Sequence, residues 1–80
     1  MPRFYFHVYD DTGFVEDEEG RELEDLPTVR SQAIKGARSI IMEEVRYGRL
    51  DLRSRIEVLG EDGRPVLILP FSEAVEIVPQ

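Results

Sequence analysis

Residues 27–47 read PTVRSQAIKGARSIIMEEVRY, and the periodicity of this stretch decides the fold. At about 100° per residue, Val29, Ala33, Ala37, Ile40 and Ile41 fall on one stripe, which Ile34 and Val45 widen. Lys35, Arg38 and Arg46 take the polar side and Arg30 the stripe's edge. This is an amphipathic helix with one face to bury. Pro27 suits a first-turn position, since its φ is fixed and it has no N–H to leave unpaired. Glu24 and Asp25 stand just upstream, where the positive end of the helix dipole favours acids. Gly48 is the expected stop, in the left-handed conformation. The helix is therefore predicted over about 27–47, roughly 30 Å long. Gly36 lies at the stripe's margin and costs ~1 kcal/mol relative to alanine; close approach of the helix to a sheet is the expected reason for it.

Working outward toward the N-terminus, Arg3–Tyr9 (RFYFHVY) is aromatic and β-branched, without Gly or Pro, and predicts a strand. Alternation puts Phe4, Phe6 and Val8 on one face and Arg3, Tyr5, His7 and Tyr9 on the other. Asp10-Asp11-Thr12-Gly13 is a turn, and Phe14–Asp17 a short return strand. Arg21–Leu23 is a brief extended piece before the helix. Toward the C-terminus, Arg55–Leu59 alternates, Gly60–Gly63 contains the hairpin dipeptide Asp62-Gly63, and Val66–Phe71 is apolar on both faces. Such a strand is expected to be covered on both sides or paired with another chain, with Pro70 at a strand end or an edge. Ser72–Val78 reads either as a helical turn or as a last extended segment.

The fold class that follows is α+β: an antiparallel sheet of two hairpins (ββαββ) with one long helix on one face, in a single domain spanning residues 1–80. One helix covers one sheet face. Tyr5, His7 and Tyr9, with Val66, Leu67, Ile68, Leu69 and Phe71, are accordingly the expected interaction surface, because monomers rarely leave such a patch bare.

Composition narrows the function. The formal charge is −7, so general affinity for nucleic-acid phosphates or an anionic membrane is not expected. Nine acids (Asp10, Asp11, Glu16, Asp17, Glu18, Glu19, Glu22, Glu24, Asp25) face Arg21 alone in residues 10–25. Their spacing fails the calcium-loop pattern, and they read as a solvated loop and helix-entry charges, or as an acidic patch for a basic partner. There is no cysteine and one histidine, so no disulfide, no zinc site and no cofactor is expected. No apolar run approaches the ~20 residues of a membrane span, and no leader precedes the first strand; the expected compartment is the cytoplasm.

Three groups of residues invite a chemical reading. His7, between two tyrosines, is either a general base or pH-sensitive contact or a strand histidine packed among aromatics. No serine stands in a nucleophile motif. Glu44 falls mid-stripe on the helix and must be paired or protonated if buried; Arg49, Arg53 and Arg55 are its candidate partners, and a functional carboxylate is the alternative. Arg46, Arg49, Arg53 and Arg55, with Tyr47, form a basic segment that suits a nucleic-acid contact, although the RNA-binding sheet motif is absent. No catalytic residue is assigned.

The blocks MPRFYFHVYD at the start, EDEEGRELEDL before the helix and RIEVLGEDGRPVLILPFSEAVEI at the end resemble a family of short uncharacterised, mainly alphaproteobacterial proteins labelled a domain of unknown function. The resemblance runs from Met1 to about Ile77. It implies a bacterial cytosolic protein, usually a stand-alone domain, and brings no site residues. A looser similarity is to the partial ribonuclease-H-like domain of HicB-type antitoxins, through a strand pair leading by Asp25-Leu26-Pro27 into a helix. The chain departs from that pattern in lacking a Gly-Cys after the proline and an appended DNA-binding segment. The expected function is a non-enzymatic interaction module that self-associates as a dimer or meets another protein; the alternative is an antitoxin-like or nucleic-acid-associated regulator.

Overall fold

In the computed structural model, which describes all residues from Met1 to Gln80, the chain forms β1 (Arg3–Asp10), β2 (Gly13–Val15), β3 (Arg21–Glu22), α1 (Leu26–Arg46), β4 (Arg55–Leu59), β5 (Pro65–Pro70) and a 3-10 turn (Phe71–Glu73). The sheet is antiparallel, in the order β2-β1-β4-β5, with β3 pairing β1 on the same side as β2. This is the α+β arrangement of two hairpins and one helix, and α1 is displaced by one residue from its predicted span. The hairpins join through β1 and β4, which pair from Tyr5↔Leu59 to Tyr9↔Arg55.

That register lines up one apolar face. Phe6 lies opposite Val58 and Val8 opposite Ile56; Ile56 and Val58 then face Leu69 and Leu67 on β5. Onto these residues α1 lays Val29, Ala33, Ala37 and Ile41, four apart along the helix and all buried. Phe71, Leu69, Val29 and Val58 are the largest fully buried side chains, each worth ~1.5–3 kcal/mol of transfer free energy. Leu69 and Phe71 therefore belong to the core, and Leu67 is half-buried beside it. These three do not join the exposed surface expected for Val66–Phe71, because their positions on β5 and in the turn after it aim at the helix.

Two further expectations about the helix change. A Cβ at Gly36 would sit 3.6 Å from Ile56 Cδ1, ordinary contact, so the approach does not demand glycine. Val45 is exposed rather than part of the buried stripe. A 21-residue helix is roughly 31 Å long, whereas five-residue β4 spans about 17 Å, so α1 is longer than the strand it packs on.

The helix ends follow local chemistry. Asp25 caps the start, accepting from the Thr28 N–H at 2.9 Å. At the other end Gly48 takes φ +77°, its N–H donates to Val45 O at 2.9 Å and the Arg49 N–H to Glu44 O at 3.1 Å, the paired closure that glycine permits. After β5, the Phe71 N–H donates to Ser54 O, Ala74 is buried and Arg38 Nε donates to Ala74 O at 2.7 Å. The tail thus runs on the helix side, and Ile77 and Val78 extend beyond it, exposed.

β5 is an outer strand. Its pairing with β4 slips by one residue at Val66, where Val58 faces Leu67 but Leu59 faces Pro65. Since the Phe71 N–H points inward, alternation turns the N of Pro70 outward, where no neighbour needs a donor.

Candidate interaction surface

The sheet face opposite α1 carries Tyr5, His7 and Tyr9 from β1 and, by register, Leu59, Glu57 and Arg55 from β4, with Ile68 opposite Glu57 on β5 and Phe14 opposite Tyr9 on β2. The helix does not lie over it, and the Glu16–Glu18 segment borders it at Tyr5 and His7. The Tyr9 ring stacks on Phe14 at 4.7 Å between centroids, and the Arg55 guanidinium lies 4.4 Å from the Tyr9 ring centroid. Because β2 and β4 flank β1, Tyr9 is held from both sides. Arg55 Nε also donates to Glu57 Oε2 at 2.7 Å, which fixes both charged side chains. Phe14 and Ile68 stay about half exposed, at 51% and 52%.

His7 is only 8% exposed, so it lies beneath this surface rather than on it. Between β2 and β3 the chain leaves the β1 edge, and Asp17 fills the gap. Its carboxylate accepts from the Phe6 N–H at 3.0 Å and the Gly20 N–H at 3.1 Å, standing in for the missing strand. Its own N–H donates to His7 Nδ1 at 3.0 Å, so in this arrangement Nδ1 is unprotonated and Nε2 carries the hydrogen. Burial alone would raise the Asp17 carboxyl, but the N–H groups of Phe6, Gly20 and Glu19 outweigh it and hold the carboxyl below its usual range.

His7 and Glu44 do not share a site. His7 lines an open cavity of about 430 Å³ with Tyr5, Glu16, Asp17, Glu18 and Glu61. Glu44 lines another, of about 390 Å³, beside Val8, Ile40 and Arg49, on the helix side of the sheet. Glu44 is half-buried and lies 3.7 Å from Arg49 Nε, one of the partners expected for it. No group of three or more His, Asp or Glu side chains is arranged to hold a metal ion.

The four arginines of the basic segment do not form one patch. Arg46 faces Glu43 at 3.3 Å and Arg55 faces Glu57. Arg49 and Arg53 converge on Asp51 at 3.1 and 2.9 Å and on Asp11 at 3.2 and 3.3 Å. Asp51 is 8% exposed. The Arg53 side chain, its backbone N–H and the charge of Arg49 hold the Asp51 carboxyl far below its ordinary value.

Residues 3–72 match the family described as Domain of unknown function (DUF6894). The chain belongs to that family. No curated protein and no solved structure matches it.

In this DUF6894 domain, then, β1, β2 and β4 bring Tyr5, Tyr9, Phe14, Arg55 and Glu57 together, and β5 adds Ile68. Val66 is exposed at the outer margin, while His7, Leu69 and Phe71 are withdrawn from the surface. Phe14 and Asp51 escaped the sequence reading. The signal for Asp51 is its place two residues before Arg53, whose N–H it accepts at 3.0 Å, the local turn that aspartate favours. The DUF6894 domain contains no helix long and apolar enough to cross a membrane.

Proposed function

We propose that this DUF6894 domain is a non-enzymatic interaction module that self-associates, two copies docking through the helix-free sheet face. The observation that carries the reading is Tyr9 held between Phe14 and Arg55 on the sheet face opposite the helix. Aromatic residues and arginine are the types enriched at the anchor points of interfaces, and side chains already fixed lose little freedom on binding. Arg55 and Glu57 give the face one charge of each sign, in a chain of net −7. Across a two-fold axis the arginine of one copy meets the glutamate of the other, which makes the face self-complementary.

The alternative, a nucleic-acid-associated regulator, draws on Arg46, Arg49, Arg53 and Arg55. Each of these already faces a carboxylate, so neutralising phosphates would compete with existing ion pairs. An acid–base site at His7 or Glu44 would gain support if both lined one pocket, and they line separate cavities.

Sedimentation velocity across micromolar concentrations tests the proposal. A concentration-dependent dimer is expected, with Phe14→Asp shifting it to monomer. A chain that stays monomeric throughout overturns the reading.

A further inference from the structure

Beside β5, between it and the start of α1, lies a groove of about 390 Å³ lined by Leu26, Pro27, Val29, Arg30, Val66 and Leu67. Its walls are apolar apart from Arg30, which makes no ion pair or hydrogen bond through its side chain, whereas Arg3, Arg46, Arg49, Arg53, Arg55 and Arg64 each have a carboxylate within 4 Å. Leu26 and Val66 are both exposed at its rim.

The same chain presents a segment of matching character. Past Ala74 the tail reads Val75-Glu76-Ile77-Val78. Val75 packs on the core, but Ile77 and Val78 are 67% and 74% exposed, and Glu76 has no ion-pair partner. Two branched aliphatic side chains next to an unpaired carboxylate thus correspond to an apolar groove next to an unpaired guanidinium. Within one copy the two stay apart. The tail is tied to α1 where Arg38 binds Ala74 O, eight residues past Arg30, or about 12 Å along the helix.

We infer that this groove receives the Glu76-Ile77-Val78 segment of a second copy, with Glu76 paired to Arg30 and the two aliphatic side chains against Leu26, Pro27 and Leu67. The inference rests on the self-association proposed above and adds to it a contact on the other side of the sheet. Burying the aliphatic pair supplies the attraction, and the charge pair fixes the direction in which the segment enters.

The test is sedimentation equilibrium of the full chain carrying Arg30→Glu, Glu76→Arg or both, with Ile77→Asp as a third variant. All of these positions are exposed, so folding, checked by circular dichroism, is expected to be retained. Each single charge reversal should weaken association about three- to fivefold, and the double reversal should restore it to within about twofold. Ile77→Asp should weaken it more than about tenfold. Association that ignores these changes, or a double reversal no tighter than the singles, overturns the inference. Phe14→Asp separates the two contacts. If it leaves association intact while the charge exchange behaves as stated, the tail contact stands and the face reading falls. If it abolishes association while the charge exchange has no effect, the reverse holds.

Discussion

The backbone N–H of Asp17 donates to Nδ1 of His7 across 3.0 Å, and the Asp17 carboxylate accepts from the amide of the residue before that histidine. One acidic residue thereby replaces a length of strand along β1. An N–H left without a partner in a half-buried place costs on the order of 1–2 kcal/mol. Asp17→Ala, which strips the acceptor from both Phe6 and Gly20, is expected to lower the unfolding free energy by about 1–3 kcal/mol. Asp17→Asn, which keeps one acceptor oxygen, should cost less. Urea unfolding at neutral pH measures both, and equal losses would show that charge rather than acceptance matters.

The carboxyls of Asp10, Asp17, Asp25 and Asp51 all sit below their ordinary value of 3.8 in the folded chain. On acidification the unfolded chain therefore takes up protons first, and protonation favours unfolding. The stability these groups contribute is fully present above about pH 5 and is lost progressively as pH falls through 4 and below. Urea midpoints from pH 7 to pH 3 should decline along that course. Asp51→Asn should flatten the curve at its acidic end, since Asp51 has the largest displacement.

Two glycines should answer alanine in opposite ways. Gly36 is helical and an added Cβ meets only Ile56 Cδ1 at 3.6 Å, so Gly36→Ala is expected to stabilise by up to ~1 kcal/mol. Gly20 has φ +69°, and its Cβ would come within 2.9 Å of Phe4 O and Tyr5 Cε1. Gly20→Ala should destabilise by more than about 1–2 kcal/mol. Thermal unfolding of both variants is sufficient to check the signs.

Leu69 lies wholly inside, between Ile56 on β4 and the helix. Leu69→Ala should cost about 2–5 kcal/mol through lost burial and a residual cavity. Ile68→Ala, one residue along and half exposed, should cost less than about 1 kcal/mol of folding stability. Similar losses at both positions would contradict the face assignment of β5.

The helix and both hairpins were legible because each rests on local signals: the stripe from Val29 to Ile41, the Asp10–Gly13 turn and Asp62-Gly63. Three of the nine acids in residues 10–25 accept from backbone N–H groups, Asp10 from Thr12 and Gly13, Asp17 from Phe6 and Gly20, Asp25 from Thr28. The roles of Asp10 and Asp25 follow from turn and capping chemistry. The role of Asp17 does not, because its main partners, Phe6 and His7, lie across a strand gap that only the folded chain creates. Equally, Val66–Phe71 is apolar at every position, so periodicity cannot say which side meets the helix. The pairing of Leu69 with Ile56 and of Leu67 with Val58 decides that, because those two β4 residues are the ones buried against the helix.

The outer margin of β5 bears on how far assembly can run. Prolines at both ends of the strand and a slipped register at Val66 spoil the ladder of amide groups that another strand would need to extend the sheet. Addition of strand upon strand, the route to fibrils, is disfavoured on that flank, so copies of this domain meet at β5 by side-chain docking and not by lengthening the sheet.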